Sequence, residues 1–488
     1  MLFLVKLFPE ITIKSRPVRR RFVKQLRKNI RSVLREFDNE LLVSGDWDSI
    51  EVETSVTDPL VLAQMSERLG CTPGIAKYLE VEKYQLPDMD GMYQLAKEFY
   101  ADRLEGKTFA VRCKRSGRHA FKSVEVEQYV GGGLNQHTAS AGVKLKNPDV
   151  TVALEIRGDL FFVVKDQKQG LGGFPLGCQD SVLSLISGGF DSSVSSYLCM
   201  KRGLITHNCF FNLGGRAHEV AVKEVALFLW MKYHSSHRVK FISVPFEGVV
   251  EEILQKVDNA QMGVILKRMM LRAADKVAEE LNIEALVTGE SVAQVSSQTL
   301  PNLAVIDAVA ESLVLRPLST SDKQDIIDIS RKTGTEEFSK DIPEYCAVIS
   351  NKPTTRAKPE RIEKEEGHFD FAVLEEAVAN ANYQLITDLI DDVAKGETDV
   401  QFMSEVPAGA IVIDIRHPDE VELKSFAVKG QSDVELLEIP FYKLRSNFEQ
   451  LDKSRQYLLY CEKGIMSRLH AANLLEEGFP NVAVLNQK

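Results

Sequence analysis

Two short stretches, far apart in the chain, combine residue types that could carry out chemistry. "SLISGGFDSS" at 184–193 holds two adjacent glycines close to Ser187, Asp191 and Ser192. "LYCEKGIMSRLH" at 459–470 holds Cys461 between a short apolar run and a glycine turn. The first composition suits a turn that binds an anion, and the second suits a reactive thiol.

The glycine turn lies between an apolar run that predicts a buried strand and a segment that predicts a helix. Gly188 and Gly189 let the backbone approach a ligand closely and present its N–H groups to an anion. Ser187 and Ser192 can donate to phosphate oxygens, and the helix N-terminus adds positive charge. A Walker-type loop would require a lysine that this stretch lacks, which disfavours γ-phosphate transfer. The alternative is an ordinary Gly-Gly turn before a helix.

The position of Cys461 favours a nucleophilic thiolate, because backbone N–H groups and a helix N-terminus both stabilise its negative charge. The alternative fate of a free cysteine is a small buried apolar side chain, which suits Cys199 and Cys209 in their apolar runs. A cysteine phosphatase loop is a third interpretation. It would need an arginine at 467, where this chain has Ser467 and places Arg468 next.

The elements around both stretches alternate between strand and helix patterns. Runs such as "VLSLIS", "HNCFFNL" and "VKFISVPF" predict strands separated by helices, which predicts a doubly wound parallel sheet with ligands at the edge where strands end. A second α/β unit is predicted from "AIVIDIRHPDEVE" to the C-terminus. The glycine-rich "QGLGGFPLGCQDS" at 169–181 lacks the third glycine of a dinucleotide fingerprint and is interpreted as a linker.

Composition limits the class of protein. The 488 residues predict several domains, and seven cysteines with no C-x-x-C pair argue against a disulfide scaffold and a zinc site. No apolar run reaches the length of a membrane span, and the apolar start "MLFLVKLFPE" predicts a first strand rather than a signal peptide. We therefore expect a cytoplasmic protein in a reducing compartment.

Charge is unevenly distributed despite a net charge of −10. The stretches "KSRPVRRRFVKQLRKNIRSVLREF", "RCKRSGRHAFKS" and "GVKLKNP" are basic, whereas acid concentrates toward the C-terminus. The residues at 17–37 also fit a solvated amphipathic helix. The second basic block favours a platform for RNA. The candidate RNA-binding residues are Arg112, Lys114, Arg115, Arg118, Lys122 and Lys144.

These motifs, taken together, resemble one family. SGGFDS resembles the PP-loop of ATP pyrophosphatases, which cleave ATP between its α- and β-phosphates. The stretches "FFNLGGRAHE", "QMGVILKRMM", "TGESVAQVSSQTLPNL", "RPL", "PEYCAVIS", "RCKRSGRHAFKS" with "YVGGGLNQH", and "YCEKGIMSRLHA" resemble the tRNA uridine 4-sulfurtransferase family, also called 4-thiouridine synthetases or thiamin-biosynthesis sulfurtransferases. The resemblance covers essentially the whole chain.

The resemblance implies a multidomain α/β fold. We expect a ferredoxin-like domain at 1–60, a THUMP RNA-binding domain at 61–167 and a PP-loop ATP pyrophosphatase domain at 168–355. A charged helical linker at 356–403 and a rhodanese-like sulfur-carrier domain at 404–488 follow.

The resemblance also implies the residues of the nucleotide site. Asp191 and Lys323 are the expected catalytic residues of this domain, with Lys323 neutralising charge on pyrophosphate. An exposed lysine near a helix start is the alternative for Lys323. Mg²⁺ is expected beside ATP, although the sequence shows no dedicated protein site for it. The expected ATP-binding residues are Leu185, Ile186, Ser187, Gly188, Gly189, Asp191, Ser192, Phe211, Lys267, Gly289 and Gln298.

By the same resemblance, Cys461 carries a persulfide to C4 of an adenylated tRNA uridine, expected at position 8. Cys346 then resolves the linkage through a transient disulfide with Cys461. The expected partners are tRNA, a cysteine desulfurase as sulfur donor and a ThiS-type sulfur carrier protein of thiamin synthesis, and the resemblance also allows a homodimer. Two alternative functions remain open: a sulfur carrier that chiefly serves the thiamin pathway, and a non-catalytic RNA-binding protein.

Overall fold

The structure is a computed structural model, and it divides into two compact units, Met1–Cys178 and Gln179–Lys488. It describes the whole chain except residues 46, 48, 214, 341, 343–352, 391–399, 417–420, 423–424, 427, 429–433, 463, 477 and 487–488. The multidomain α/β architecture expected from the sequence is confirmed.

The first unit is built on one eight-stranded sheet with the order β2-β3-β1-β4-β8-β7-β5-β6. The strands are β1 Leu2–Leu7, β2 Leu42–Ser44, β3 Ser49–Glu53, β4 Ile75–Gln85, β5 Thr108–Ser116, β6 Gly142–Val143, β7 Val150–Arg157 and β8 Leu160–Gln169. Antiparallel pairing of β1 with β4 joins the part expected as ferredoxin-like, 1–60, to the part expected as THUMP, 61–167. The two expected N-terminal domains therefore share a continuous set of backbone hydrogen bonds.

Helices cover separate cores in the two halves of this sheet. The helices are α1 Pro9–Thr12, α2 Arg16–Leu34, α3 Pro59–Gly70, α4 Met89–Tyr100 and α5 Ser123–His137, with a 3₁₀ turn at Asp102–Leu104. In α2, Phe22, Leu26 and Ile30 recur at helical spacing and are all buried. The basic residues of α2 are partly structural, because the buried Arg19 donates to the Thr12 and Trp47 carbonyl oxygens at 3.0 and 2.7 Å.

The glycine-rich stretch expected as a linker packs closely against the first unit. Gly170 N donates to Ala76 O at 2.9 Å, and a Cβ on Gly170 would lie 2.3 Å from Ile75 O. Phe174 is buried in the core beneath α2. The glycines of this stretch thus permit a close backbone approach, and the boundary between the units follows Cys178.

A six-stranded sheet with the order β13-β12-β9-β10-β11-β14 forms the first part of the second unit. Its strands are β9 Ser181–Leu185, β10 Ile205–Asn212, β11 Lys240–Pro245, β12 Ala285–Val287, β13 Leu313–Leu315 and β14 Asn382–Leu385. The pairings β13-β12-β9-β10-β11 are parallel, and only β14 is antiparallel. This confirms the doubly wound parallel sheet, and it places the turns after β9, β10 and β12 at one edge.

Helices pack on both faces of this sheet. They are α6 Phe190–Lys201, α7 Gly215–Leu229, α8 Glu247–Lys256, α9 Met262–Glu280, α10 Leu300–Asp307, α11 Lys323–Thr333, α12 Glu336–Ser339, α13 Pro359–Glu366 and α14 Phe371–Ala379. A π-helical turn at Trp230–His234 follows α7, and a 3₁₀ turn at Ser296–Gln298 precedes α10.

The first part of the segment expected as a charged linker, 356–403, differs from that expectation. Its helices α13 and α14 bury Ile362, Phe369 and Leu374 in the core of the second unit. Glu366 pairs with the buried Arg268 at 2.6 Å, and β14 adds an edge strand to the sheet. The correction has a physical reason, since one buried face on each helix is enough to dock an otherwise charged segment.

A five-stranded parallel sheet, with the order β15-β19-β18-β16-β17, forms the last part of the chain. Its strands are β15 Phe402–Met403, β16 Ile411–Asp414, β17 Glu435–Glu438, β18 Tyr457–Tyr460 and β19 Val482–Leu485, and the helices are α15 Phe441–Phe448 and α16 Ile465–Glu476. Strand β18 is fully buried between β16 and β19. Cys461 is the first residue after the C-terminal end of this buried strand.

Candidate active site

The turn between β9 and α6 is held in one shape by its own hydroxyl groups. Ser192 Oγ accepts a hydrogen bond from Ser187 N at 3.2 Å and donates to Gly189 O at 3.1 Å. Gly188 has φ +81°, where L side chains are strained, and a Cβ there would lie 2.5 Å from Ile342 Cδ1. The turn is therefore preorganised, with the N-terminus of the 12-residue helix α6 directly behind it.

Asp191, in the first turn of α6, collects two polar side chains from distant parts of the chain. Lys323 Nζ donates to Asp191 Oδ1 at 2.8 Å, and Gln294 Nε2 donates to Asp191 Oδ2 at 2.8 Å. Lys323 opens α11 and keeps 40% of its side chain exposed. The contact with Asp191 therefore holds an ammonium group beside the anion-binding turn.

A cavity of about 440 Å³ opens beside this turn. Ten residues of the expected ATP set line it, namely Leu185, Ile186, Ser187, Gly189, Asp191, Ser192, Phe211, Lys267, Gly289 and Gln298. Gly188 shapes the turn next to it, and Lys323 reaches the cavity through Asp191. Its lining combines apolar side chains with polar and charged ones, the mixture that is typical of a small-molecule site.

Gly289 keeps the loop after β12 close to the turn between β9 and α6, residues 187–190, which we call the phosphate turn. A Cβ on Gly289 would lie 2.7 Å from both Asp191 C and Ser192 N, which are backbone atoms of α6. A glycine is therefore required wherever this loop and α6 come so near. The close approach also brings the neighbouring Glu290 and Gln294 to the cavity wall.

A buried ion-pair network supports the cavity, and sequence reasoning missed most of it. Glu290 accepts from Lys267 Nζ at 2.6 Å and from Arg316 Nε at 2.8 Å, while Arg316 also pairs with Asp307. Burial alone would raise the pKa of Glu290, but the charges of Lys267 and Arg316 lower it to about 2. The signal for Glu290 was a lone carboxylate directly after an apolar strand, within the quoted stretch "TGESVAQ".

His218 is a further cavity residue that sequence reasoning missed. It lies near the start of α7, is 7% exposed and packs edge-on against Phe210 with ring centroids 4.9 Å apart. Burial lowers the pKa of His218, and a hydrogen bond with the backbone of Ser187 opposes that shift. A neutral imidazole therefore faces the same cavity as the phosphate turn.

Cys461 lies in a second preorganised turn, between β18 and α16. Cys461 Sγ accepts a hydrogen bond from Ser467 N at 3.3 Å, and the Ser467 hydroxyl lies 3.4 Å from the same sulfur. Gly464 has φ +69° and donates its N–H to Cys461 O at 3.2 Å. A backbone N–H in the first turn of a helix stabilises negative charge on the sulfur.

Four described cysteines are buried and contrast with Cys461, which is partly exposed, as Cys71 also is. Burial raises the pKa of Cys178 and Cys199 to about 12, and it also raises that of Cys209. Those thiols suit the role of small apolar side chains. Cys346 lies outside the described residues, so its distance from Cys461 stays a prediction.

The contacts of Cys461 disfavour a phosphatase loop. Such a loop needs a guanidinium group aimed at the sulfur side of the turn. Here a fully buried Ser467 contacts the sulfur, and the Arg468 guanidinium lies over the Phe402 ring, 5.5 Å from its centroid. A second arginine, Arg416, forms an ion pair with Asp414, with Arg416 Nη2 2.6 Å from Asp414 Oδ2.

The candidate RNA-binding residues lie together on the THUMP part of the first unit. Arg112 and Lys114 alternate with buried residues along β5 and are exposed, and Arg112 Nη2 donates to the carbonyl oxygen of Leu145, beside the exposed Lys144. Arg115 is partly buried and contacts His119 at 3.0 Å. The exposed Arg118 and Lys122 complete the set.

The described residues show neither a membrane-spanning helix nor a cluster of metal-binding side chains. No helix there is long and apolar enough to cross a membrane. No group of three or more His, Cys, Asp or Glu side chains is placed there to hold a metal ion.

Four family descriptions match consecutive parts of the chain. They are the ferredoxin-like domain of ThiI at 2–78, the THUMP domain at 87–166, the thiamine biosynthesis protein ThiI at 177–371 and the rhodanese-like domain at 398–487. The last two each contain one of the two preorganised turns described above.

Full-length relatives and solved structures give the same picture. The chain is 58% identical to proteins named tRNA sulfurtransferase from Azotobacter vinelandii and Pseudomonas aeruginosa, over 99% of both chains. A 4-thiouridine synthetase solved with RNA and bound ATP is 25% identical and superposes with a TM-score of 0.69, over 79% of this chain and 99% of that one. A Pyrococcus horikoshii protein, 17% identical with a TM-score of 0.52 over 68% of this chain and 100% of that one, shares the fold.

Proposed function

This chain belongs to the tRNA sulfurtransferase family and is an enzyme with tRNA as its substrate, and from this premise we propose its detailed reaction. Persulfide sulfur passes from Cys461 to C4 of a tRNA uridine, at position 8, in an ATP-dependent reaction that gives 4-thiouridine. ATP use is supported by the ATP-bound 4-thiouridine synthetase, whose fold matches this chain. The observation that carries the proposal is the junction of Lys323, Asp191 and Gln294 at the mouth of the phosphate turn.

In the first step the uridine O4 attacks the α-phosphorus of ATP, the bond from that phosphorus to the bridging oxygen breaks, and pyrophosphate leaves. Negative charge grows on pyrophosphate in the transition state, and Lys323 neutralises it from its place beside Asp191. The backbone N–H groups of the turn at 188–190 bind the phosphates. The product is a uridine whose C4 carries AMP, a good leaving group.

In the second step the terminal sulfur of the Cys461 persulfide attacks C4 and AMP leaves. The thiolate of Cys346 then attacks Cys461 Sγ, which frees the sulfur on C4 as a thiocarbonyl group and leaves a Cys346–Cys461 disulfide. Two electrons from a cellular thiol must reduce that disulfide before the next cycle. A cysteine desulfurase, as the proposed donor, then reloads Cys461.

The cavity residues fit the nucleotide, and one carboxylate fits Mg²⁺. Mg²⁺ typically binds one or two carboxylates together with phosphate oxygens. Asp191 lines the cavity beside the phosphate turn and has, among the described residues, a single cation partner, Lys323, so its remaining oxygen lone pairs would hold the ion, whereas Glu290 is already paired with two cations. When bound, Mg²⁺ supplies charge neutralisation on the phosphates.

Mass spectrometry of tRNA nucleosides tests the proposal. The purified chain is incubated with tRNA, ATP, Mg²⁺, cysteine and a desulfurase, and 4-thiouridine is expected only when ATP is present. Cys461→Ser should form no 4-thiouridine but should still release pyrophosphate in a tRNA-dependent manner, with AMP following only as water hydrolyses the adenylated uridine. Equal thiolation without nucleotide would contradict the proposal.

A second role, sulfur supply to a ThiS-type carrier protein for thiamin thiazole synthesis, is favoured by the match of 177–371 to a thiamine biosynthesis protein. This role needs the thiol of Cys461 but not adenylation of a uridine. In a thiazole-requiring strain, full-length Asp191→Ala should therefore restore growth and Cys461→Ser should not. Failure of Asp191→Ala to restore growth would count against this role.

A further inference from the structure

Three phenylalanine rings from distant parts of the chain meet in the second unit. Phe338 and Phe441 have ring centroids 4.7 Å apart, and Phe228 lies 4.9 Å from Phe338 and 6.4 Å from Phe441. Phe228 and Phe338 belong to α7 and α12, in the residues before 391 that carry the phosphate turn, which we call the ATP-binding part. Phe441 opens α15, in the residues after 399 that carry Cys461, which we call the sulfur-carrier part. We call these three rings the aromatic contact.

Burial shows that the aromatic contact is packed on both sides. Phe441 is 6% exposed and Phe338 is 7% exposed. The segment 391–399, outside the described residues, separates the two parts in the chain. The rings therefore join two parts that residues 391–399 separate along the chain.

On the ATP-binding side, the aromatic contact is one residue away from the phosphate turn. Ser339, next to Phe338, donates its hydroxyl to Gly188 O at 2.8 Å. Gly188 is the residue with positive φ that shapes the turn. This hydrogen bond anchors the end of α12 to the phosphate turn separately from the ring contacts of Phe338.

On the sulfur-carrier side, the aromatic contact reaches the helix that follows Cys461. The Phe441 ring packs against the imidazole ring of His470, with ring centroids 5.9 Å apart, and His470 lies on α16. The first turn of the same helix supplies the Ser467 N–H that contacts Cys461 Sγ. One side chain, that of Phe441, thus contacts both α12 and α16.

We propose that the aromatic contact is the docking site through which the sulfur-carrier part is held against the ATP-binding part for sulfur transfer. Phe441 is a positioning residue that packs against the rings of Phe228 and Phe338. The proposal rests on the proposed function, in which a persulfide must meet an adenylated base. Docking raises the effective concentration of Cys461 at the ATP-binding part, and a contact made by a few rings can still open to let Cys461 meet its sulfur donor.

Three rates measured on the full chain test the docking site. Phe441→Ala should slow single-turnover sulfur transfer from persulfide-loaded enzyme to tRNA by roughly tenfold or more, because effective concentration is lost. Persulfide loading of Cys461 and tRNA-dependent pyrophosphate release should stay at wild-type rates. Phe371→Ala, which truncates a 39% exposed phenylalanine outside the aromatic contact, is the matched control and should leave all three rates unchanged.

Unchanged transfer in Phe441→Ala would overturn the docking site, and so would an equal loss of all three rates. Phe338→Leu provides the test from the opposite side and should slow transfer while preserving loading. Hydrogen exchange separates this proposal from the proposed function, since it needs no activity. Phe441→Ala should expose the amides of α12 and α15 together while β18 stays protected, and unchanged exchange in α12 would overturn docking even in an active enzyme.

Discussion

The catalytic potential of this chain lies in a few side chains whose neighbours control their charge. Asp191 is held between an ammonium and an amide group, so its carboxylate is fixed in orientation at the phosphate turn. Cys461 receives a backbone N–H, whereas the buried Cys199 and Cys209 have raised pKa values. The same residue types therefore differ in reactivity because of what they contact.

The first prediction concerns Lys323. Lys323→Ala should lower the rate of tRNA-dependent AMP formation by about a hundredfold, because charge on the departing pyrophosphate loses its counter-charge. tRNA affinity should stay unchanged. Lys332→Ala, an exposed lysine in the same helix, is the control for a general loss of positive charge. Full AMP formation by Lys323→Ala would show that Lys323 is only a surface residue.

At the scale of elements, two close approaches determine the shape of the site. The turn between β9 and α6 needs a positive φ at Gly188, and the loop after β12 needs a missing Cβ at Gly289. The ion pairs of Glu290 then tie α9, through Lys267, to the segment after β13, through Arg316. These ion pairs therefore hold elements that are far apart in sequence at fixed positions around one cavity.

Adjacent glycines give a matched pair of variants for the second prediction. Gly188→Ala should lower the melting temperature of the second unit, by an amount equivalent to about 1–3 kcal/mol, because alanine is strained at φ +81° and its Cβ would meet Ile342. Gly189→Ala, where φ is −67° and the nearest atom is 3.8 Å from the added Cβ, should not lower it. Calorimetry measures both, and equal melting temperatures would contradict the role of the positive φ.

The third prediction concerns the pH dependence of the Glu290 network. The pKa of Glu290 is about 2 in the folded chain against an ordinary value of 4.5, so its stabilisation is fully present above pH 4.5 and is lost as pH falls toward 2. Glu290→Gln should lower the unfolding free energy at neutral pH by about 3 kcal/mol, because two partly buried cations lose the buried carboxylate that they share. It should also flatten the decline in stability between pH 4.5 and 2.

Trp230 fluorescence in a Trp47→Phe background reports unfolding of the second unit for this test. Glu375→Gln is the control, since Glu375 pairs with Lys276 on an exposed surface and should not affect the unfolding curve. A wild-type curve that declines no faster than that of Glu290→Gln below pH 4.5 would refute the assigned network.

At the scale of the whole molecule, positive charge and the two reactive turns lie on different parts of the chain. The exposed arginines and lysines of the THUMP part belong to the first unit, while the phosphate turn and Cys461 belong to the second. Phosphate contacts generally position a nucleic acid, whereas other groups read or modify it. This separation suits an enzyme whose substrate is a large folded RNA.

The fourth prediction concerns tRNA affinity. The dissociation constant should rise steeply with salt, and Lys144→Ala should reduce the slope of log K against log salt concentration by about one, because one phosphate contact is lost. Lys276→Ala, in the second unit, controls for the loss of a single positive charge. Filter binding or anisotropy with tRNA between low and moderate salt measures the slope, and an unchanged slope for Lys144→Ala would remove that residue from the contact surface.

The order of domains was implied by a family resemblance, whereas the sequence by itself determined the phosphate turn and the turn at Cys461. Each of these features is encoded by contiguous residues, whose glycines, hydroxyls and flanking apolar runs specify local geometry. Only the tertiary structure brought Lys323 and Gln294 to Asp191, revealed the Glu290 network and placed Phe441 against Phe338. It also showed that the charged segment after 356 packs into the sheet. Such contacts join residues that look ordinary in sequence, because long-range packing of whole elements, rather than local pattern, selects their partners.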